Sequence, residues 1–286
     1  MSRAPRISVG VPFHDEERWL GQAVRSILRQ SQDDVEVLLV DDGSTDRSLE
    51  IARGFSDPRV VVVSDGMRKH LPARLNEIAR RARGELVARM DADDVSHPER
   101  LARELALLDA RPELDAVGTW IGLVDAAGRP LAVTEGSVDR PPGSVLEKGL
   151  FSHATMLARR AWLLANPYDE TLTRAEDRDL WCRTASSSRF AIVPEVLYVV
   201  RTRIGPDFLA DYLLSHAQNR ALFLRYGPAA LGWAGTARAW LGSVSRSIAM
   251  RGAVAAGLAD RLLRRRGRPP TAGEVAAIEA ALAHSA

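Results

Sequence analysis

The chain has 286 residues, of which 46% are hydrophobic and 27% charged, a composition typical of globular proteins rather than disordered or fibrous ones. Its longest stretch without a charged residue, positions 226–237, is shorter than the roughly 20 apolar residues that a membrane-spanning helix needs. The N-terminus carries no apolar signal-peptide core. The single cysteine, Cys182, excludes an internal disulfide and a cysteine-based zinc site. We therefore expect a cytoplasmic protein.

Charge is distributed unevenly along the chain. Residues 1–206 contain 29 basic and 32 acidic side chains, whereas residues 207–286 contain 10 basic and 5 acidic ones. The small net charge of +2 thus combines an acidic portion with a basic one, and the balance changes near residue 206.

The first 90 residues alternate between apolar runs and amphipathic segments. Four runs of aliphatic residues predict buried strands, at residues 6–11, 35–40, 60–63 and 85–90. Apolar residues at helical spacing predict helices between the strands, over 19–28, after the N-cap signal at 44–46, and over 71–83. This alternation implies right-handed crossovers and an α/β fold with a mainly parallel sheet and helices on both faces.

The rest of the chain is less regular. Residues 96–99 have the pattern of a capping box, with serine at the N-cap and glutamate three positions later, ahead of a helix through Leu108. Further strands are predicted over 115–124 and 151–157, a helix over 178–184, and two short strands within 190–200 that break at Pro194. After Pro206 the pattern is helical through about residue 263.

Acidic clusters follow two of the predicted strands. Asp41 and Asp42 come after the second strand, and Asp91, Asp93 and Asp94 come after the fourth. In an open parallel sheet, ligands bind outside the carboxyl ends of the strands. Crowded carboxylates repel one another unless a cation compensates them, and oxygen ligands of this kind suit Mg²⁺ or Mn²⁺. An acidic, solvated loop is the alternative for each cluster.

Six short motifs follow one another along the chain: Val9-Gly10-Val11-Pro12-Phe13, Val40-Asp41-Asp42-Gly43-Ser44, Ala73-Arg74-Leu75-Asn76, Met90-Asp91-Ala92-Asp93-Asp94, Ser152-His153-Ala154-Thr155 and Glu176-Asp177-Arg178-Asp179-Leu180-Trp181. In this order they resemble the motifs of the family 2 glycosyltransferases, which have the GT-A fold. The resemblance implies a GT-A domain over residues 1–205, with a nucleotide-sugar half at about 1–110 and an acceptor half at about 111–205. A helical basic extension, 206–286, would follow.

The resemblance also implies roles for donor-side residues. Pro12 and Asp42 would lie against the nucleotide base and ribose, with Asp41 beside them as an orienting residue. Arg74 would face the nucleotide or its diphosphate, unless it is a solvated arginine on a basic helix face. Asp91 and Asp93 match the D-x-D motif that holds Mn²⁺ or Mg²⁺ against the diphosphate. Which of these and Asp94 touch the metal stays open.

On the acceptor side, the resemblance makes Asp177 the candidate general base, with Glu176 as its neighbour and runner-up. The alternative for this pair is a helix N-terminus whose dipole favours acidic residues. His153 would line the acceptor pocket or form hydrogen bonds in the core. Trp181 would stack on a sugar ring or pack in the core.

Three interpretations compete for the basic segment 261–270 and the helices before it. A single Arg-Gly-Arg-Pro run resembles minor-groove DNA-binding peptides, but no nucleic acid partner is expected. An anionic membrane surface could hold the basic residues near Trp233, Trp240, Leu241, Ile248 and Met250. The third interpretation is a helical appendage packed on the catalytic domain and followed by a solvated tail.

These expectations define an inverting, metal-dependent glycosyltransferase. It would move a sugar from a nucleotide-diphosphate sugar, UDP-linked by the resemblance, to the hydroxyl of a saccharide, lipid-linked or other acceptor in surface polysaccharide or glycoconjugate synthesis. The expected location is the cytoplasm. An alternative within it is peripheral binding to the inner face of the plasma membrane. A non-catalytic nucleotide-sugar-binding scaffold and a nucleotidyltransferase are the alternatives. The latter would normally have a Gly-rich phosphate loop near the first strand, which residues 11–15 lack.

Overall fold

The computed structural model describes residues 4–139, 142–202, 208–258 and 267–286. Within these ranges the strands are β1 (Ile7–Phe13), β2 (Val35–Asp41), β3 (Val60–Val63), β4 (Leu86–Arg89), β5 (Val95–Ser96), β6 (Ala116–Val124), β7 (Pro130–Thr134), β8 (Leu157–Arg159) and β9 (Phe190–Arg201). The helices are α1 (Leu20–Leu28), α2 (Ser48–Arg53), α3 (His70–Arg81), α4 (Arg100–Ala110), α5 (Pro142–Lys148), α6 (Arg160–Ala165), α7 (Glu176–Thr184), α8 (Phe208–Ala255) and α9 (Ala272–Ser285).

The nine strands of the described residues join one sheet in the order β3-β2-β1-β4-β8-β6-β9-β5, with β7 paired to β6. The first four strands pair in parallel, as the alternating pattern predicts. Antiparallel β8 then lies between β4 and β6, and β6 pairs in parallel with β9. The carboxyl ends of β2 and β4 therefore flank that of β1, so both acidic clusters follow strand ends on the side of the sheet where ligands were expected to bind.

Helices cover both faces of the sheet because strand side chains alternate between its two sides. Ile7, Val9 and Val11 of β1 belong to one buried cluster, together with residues of α1 and α4. Leu38 and Val40 of β2 belong to another, with residues of α3. These two clusters form the core on either side of the sheet.

The capping box predicted at residues 96–99 does not form. Ser96 lies in β5, opposite Tyr198 of β9, and α4 begins only at Arg100, with Glu99 at the N-cap and no side-chain cap. Pairing with β9 continues past the strand, since the amide of His97 donates to the carbonyl of Leu197 at 2.9 Å. Strand pairing thus holds the serine away from the helix terminus.

Two other elements differ from their sequence-based expectation. The predicted strand at 151–157 is a 3-10 turn over His153–Thr155 followed by the short β8. The two short strands expected within 190–200 are one continuous strand, β9. Pro194 lies where the β6–β9 register shifts between Thr119 and Trp120. At such a shift the ladder needs no hydrogen bond from the residue, so a proline, which has no backbone N–H, is tolerated there.

The long helix α8 contains a sharp bend at Gly232, whose φ of 69° and ψ of 170° are not helical. On either side of the bend, Leu222, Phe223 and Ala239 pack into a buried cluster with Leu146 and Ala175. Within the described ranges, no helix combines the length and apolarity that crossing a bilayer would require. The basic run expected at 261–266 lies outside the described residues.

The chain then returns to the sheet as α9 rather than ending in a solvated tail. Ile278 and Ala281 are buried against Val124 and Val199. A capping box formed by Thr271 and Glu274 starts the helix. At its other end, α1 caps the helix: Gln22 Nε2 donates to Ser285 Oγ at 2.9 Å, and Arg25 Nε donates to the Ser285 carbonyl at 3.1 Å. Basic donors at a helix C-terminus satisfy its unpaired carbonyls.

Candidate active site

Asp42 lies just past the end of β2, and the loop that precedes α3 binds its carboxylate. The backbone N–H of Asp42 donates to the Phe13 carbonyl at 2.8 Å, which holds Asp42 at the end of β1, near buried Pro12. Asp42 Oδ1 accepts from the amide of Lys69 at 2.7 Å and from the amide of His70 at 3.1 Å. Only 7% of the Asp42 surface is exposed. Backbone hydrogen bonds thus fix the orientation of its carboxylate at the carboxyl end of β2.

Arg74 of α3 is the cation of this cluster. The side chain has no exposed surface, and its Nε donates to Asp42 Oδ1 at 2.9 Å. Its two terminal nitrogens donate to Asp65, to Glu77 and to the Met67 carbonyl. The guanidinium has five N–H donors, and all of them are engaged. Arg74 therefore shapes the pocket around Asp42, and direct contact with a diphosphate would require one of these bonds to be exchanged.

Two neighbouring carboxylates complete the arrangement. Asp41 is 1% exposed; its oxygens accept from the amide of Ser44 at 2.9 Å and from Ser64 Oγ at 2.7 Å, so it braces the loop after β2. Asp65, which sequence reasoning missed, follows β3 and bonds Arg74 and Lys69. These hydrogen bonds lower the pKa of Asp65. Its position at a strand's carboxyl end is the same signal that identified the other aspartates.

At the end of β4, Asp91 lies at the surface of the site. About a third of its side chain is exposed, and its Oδ1 is 2.6 Å from Nη2 of Arg89, which is 8% exposed. Burial raises the pKa of Asp91, as do the Asp93 and Asp177 carboxylates, whereas Arg89 and Arg100 lower it. The net direction is upward, so the ionised form of Asp91 is disfavoured despite these two arginines.

Asp94 is turned into the fold. It is 3% exposed, and its Oδ1 accepts from the amide of Arg201 at 3.1 Å. A hydrogen bond from Tyr198 reaches the same carboxylate, while the Tyr198 oxygen accepts from the amide of Asp91 at 2.9 Å. Asp94 thus anchors the turn to β9, whereas Asp91 and Asp93 are the half-exposed members of the motif.

The residues present fit a divalent cation that a substrate completes. Among the residues described, no three His, Cys, Asp or Glu side chains converge into a metal site of the protein alone. Mg²⁺ sites that serve nucleotide substrates usually need only one or two carboxylates, because water and phosphate oxygens supply the remaining ligands. Asp91 and Asp93, the two half-exposed carboxylates of the motif, offer that donor set.

Glu176 and Asp177 begin α7, so their carboxylates lie at the positive end of the helix dipole. Asp177 Oδ1 accepts from the amide of Arg178 at 2.6 Å, and Asp177 is half-buried. Glu176 is 6% exposed. Burial and the adjacent Asp177 raise the pKa of Glu176 to about 8. The proximity of Asp177 to Asp91 brings the predicted acceptor-side pair to the same site as the donor-side carboxylates.

His153 lies behind this pair. Its Nε2 is 2.7 Å from the hydroxyl of Tyr168, and its Nδ1 is 3.9 Å from Glu176 Oε1, too far for a hydrogen bond. Burial and the nearby Arg89 hold the pKa of His153 well below its usual value. The neutral ring therefore supports the Glu176 side of the site from a position that is 6% exposed.

Trp181 belongs to the aromatic core and not to an acceptor pocket. It has no exposed surface, and its ring centroid lies 5.0 Å from that of Phe151 and 5.3 Å from that of Phe190. A ring without an exposed face cannot stack on a sugar, so of the two interpretations of Trp181 the acceptor contact is wrong and core packing is observed.

The structure thus brings together Asp91, Glu176, Asp177 and His153, and forms a second group from Asp41, Asp42 and Arg74. Sequence reasoning missed Arg89, Tyr168 and Tyr198. Arg89 occupies the last position of β4, next to the acidic motif, which is a local signal. Tyr168 and Tyr198 reach the site only through tertiary contacts, so no local pattern identifies them.

The order and pairing of the strands are those of the GT-A fold. A mannosyltransferase from Pyrobaculum calidifontis, solved with GDP-Man and Mn²⁺, superposes with a TM-score of 0.60 at 21% identity over 99% of this chain and 88% of that one. S. aureus TarS 1-349 in complex with UDP-GlcNAc superposes with a TM-score of 0.60 at 20% identity, over 98% and 90%. At these identities the likeness concerns the fold.

The sequence comparisons establish the family. The model of glycosyl transferase family 2 matches residues 8–141. The putative glycosyltransferase EpsE of Bacillus subtilis is 34% identical over 209 residues, which cover 70% of this chain and 74% of that protein. The chain belongs to glycosyl transferase family 2, as its motifs predicted, and this excludes the nucleotidyltransferase alternative.

Proposed function

We propose that the chain is an inverting glycosyltransferase that moves a sugar from a UDP-linked donor to an acceptor hydroxyl. The observation that carries this proposal is the meeting of two carboxylate sets. Asp91 at the end of β4 and Asp177 at the start of α7 are close enough for one to shift the pKa of the other. Donor-side and acceptor-side chemistry would need that proximity, because the reacting carbon passes between leaving group and acceptor.

The Asp42 group would bind the nucleotide. Asp42 is the acceptor for the N3–H of a uracil-type base, Pro12 lies beside the base, and Asp41 orients the loop. In this proposal Arg74 is a positioning residue that fixes the Asp42 carboxylate. UDP and UDP-GlcNAc are the ligands in structures of TarS, which supports a UDP-linked donor here.

Asp91 and Asp93 would hold Mn²⁺ or Mg²⁺ with the donor diphosphate. When bound, the cation stabilises the negative charge that develops on the leaving nucleoside diphosphate. Arg89 keeps Asp91 at the mouth of the site through its ion pair, and Tyr198 keeps Asp94 turned away. The Mn²⁺ in the mannosyltransferase complex supports this choice of cation.

Asp177 would act as the general base. The acceptor oxygen attacks the anomeric carbon while the bond from that carbon to the phosphate oxygen breaks, and the hydroxyl proton passes to Asp177. One displacement inverts the anomeric configuration. Glu176 is the poorer base at neutral pH because its raised pKa leaves it protonated. His153, whose ring is hydrogen-bonded to Tyr168, lies 3.9 Å from Glu176 on the buried side of the pair.

The acceptor is proposed to be a saccharide or lipid-linked hydroxyl in polysaccharide or glycoconjugate synthesis. Residues 1–205 would form the catalytic domain, with the basic extension 206–286 attached to it. The proposed location is the cytoplasm, at the inner face of the plasma membrane where the acceptor is lipid-linked.

Nucleoside diphosphate release tests the proposal. The full chain is incubated with Mn²⁺, a panel of UDP- and GDP-linked sugars and a set of saccharide and lipid-linked acceptors. Release that depends on a UDP-sugar, on acceptor and on Mn²⁺ is expected. Donor binding without turnover across the acceptor set would instead favour the non-catalytic scaffold, and a lack of any donor binding would reject both.

A further inference from the structure

The second segment of α8 exposes a row of large apolar side chains. Trp233 is 77% exposed, Leu241 61% and Ile248 65%; we call these three residues the outer face of α8. Spacings of eight and seven residues keep them on one side of the helix. The opposite side, including Ala239, is buried.

The outer face of α8 differs in exposure from the other apolar residues that the sequence offered for membrane contact, Trp240 and Met250. Met250 is 4% exposed, and Trp240 packs on the buried cluster beneath the helix. The non-helical backbone at Gly232 immediately precedes Trp233. The bend therefore starts the second segment with an exposed indole, a side chain that prefers the boundary between water and lipid.

The charge of the second segment of α8 has one sign. Residues 233–255 contain three arginines and no aspartate or glutamate. All three, Arg238, Arg246 and Arg251, are exposed. Exposed apolar residues bordered by basic ones are the pattern of helices that lie in the membrane interface.

We propose that the outer face of α8 binds the surface of a membrane that contains anionic lipids. Apolar burial and attraction of the arginines by lipid phosphates then act together, with each basic residue near the surface contributing about 1 kcal/mol. A second copy of the chain is a poorer occupant, because pairing two such faces would bring arginine-rich segments together. The contact does not depend on the proposed sugar transfer, although it would bring a lipid-linked acceptor to the enzyme.

Vesicle co-sedimentation of the full chain tests the proposal, using phosphatidylcholine vesicles and vesicles that also contain phosphatidylglycerol. We expect binding to the anionic vesicles only, weakened by salt, because screening shortens the reach of the arginines. The variant Trp233→Ser/Leu241→Ser/Ile248→Ser should bind at least about tenfold more weakly. Arg238→Gln/Arg251→Gln should lose about tenfold or more.

Leu164→Ser is the matched control, since Leu164 is 44% exposed on α6; it should bind as the unchanged chain does. Thermal unfolding of every variant verifies the fold, and exposed positions should leave Tm unchanged. The proposal is overturned by equal binding of the triple variant, by absence of binding to anionic vesicles, or by a dimer that the triple variant converts to a monomer. None of these results bears on nucleoside diphosphate release with a water-soluble acceptor, so the two proposals fail separately.

Discussion

Arg74 Nε donates to Asp42 Oδ1 at 2.9 Å from a side chain with no exposed surface. The same guanidinium also holds Asp65 and Glu77. The carboxylate proposed to recognise the nucleotide base is therefore oriented by Arg74. Arg74 is itself buried, so its proposed role is to position Asp42 and not to contact the nucleotide base. Under the proposed function, nucleotide recognition and fold stability would both depend on this one arginine.

Replacing Arg74 with Gln should lower both stability and nucleotide affinity. Removing one partner of a buried ion pair costs about 3 kcal/mol or more, and Asp42 would lose its orientation. Urea unfolding measures the first effect, and calorimetric titration with UDP measures the second. Arg47→Gln is the control: its pair with Glu50 is about 70% exposed on both sides, so a change below about 1 kcal/mol is expected. Equal UDP affinity in folded Arg74→Gln would contradict the positioning role.

Asp93→Asn should remove the effect of Mn²⁺ on donor binding. UDP should stabilise the unchanged chain more with Mn²⁺ than with a chelator, because a ligand that binds only the native state raises the apparent stability. The variant should show the same small shift in both conditions. Asp33→Asn, an exposed residue before β2, should behave like the unchanged chain. A full Mn²⁺-dependent shift in Asp93→Asn would remove Asp93 from the metal site.

Gly10→Ala should destabilise the contact between β1 and α3. A Cβ at this position would lie 2.4 Å from Ile78 Cγ2, and overpacking of this kind costs about 1–3 kcal/mol. In the double variant with Ile78→Ala the two losses should be less than additive. Gly273→Ala is the control, because an added Cβ on α9 meets no atom within 4 Å. Additive losses in urea unfolding would contradict the packing argument.

Glu104→Gln should flatten the pH dependence of stability. Arg100 Nε lies 3.2 Å from Glu104 Oε2, and the two side chains are 1% and 0% exposed. Burial raises the pKa of Glu104 from 4.5 to about 8, against the effect of Arg100. The native state then keeps a proton that the unfolded state releases, so this contribution is complete below pH 4.5 and is lost as pH rises through 8.

Chemical unfolding at several pH values between 5 and 9 measures this effect. The unchanged chain and the control Glu85→Gln, whose carboxylate is 64% exposed, should both lose stability toward pH 9. Glu104→Gln should lose less. An identical slope in all three proteins would show that Glu104 ionises equally in both states.

The sequence predicted the parallel half of the fold because β1 to β4 and their helices are local patterns. It also located the carboxylates that follow β2 and β4, because the end of a strand can be predicted from the local sequence without knowledge of tertiary contacts. The same rule applied to β3 would have found Asp65. In contrast, the loss of the Ser96 cap depends on pairing with Tyr198, and the partners of Asp94 and His153 depend on residues brought in by the fold. Trp181 is fully buried in the core and so cannot contact an acceptor. The helical spacing of the sequence does not predict whether a single side chain on a helix is fully buried.

The most direct test of the central claim is the rate of UDP release from a UDP-sugar in the presence of acceptor and Mn²⁺, compared between the unchanged chain and Asp177→Asn. Asp177 is half-buried at the start of α7, so the variant should keep its fold and its UDP affinity. The account predicts acceptor-dependent release that falls at least about a hundredfold in the variant, the scale of a lost general base. Release at the same rate in Asp177→Asn, or none from the unchanged chain with any UDP-sugar, would contradict it.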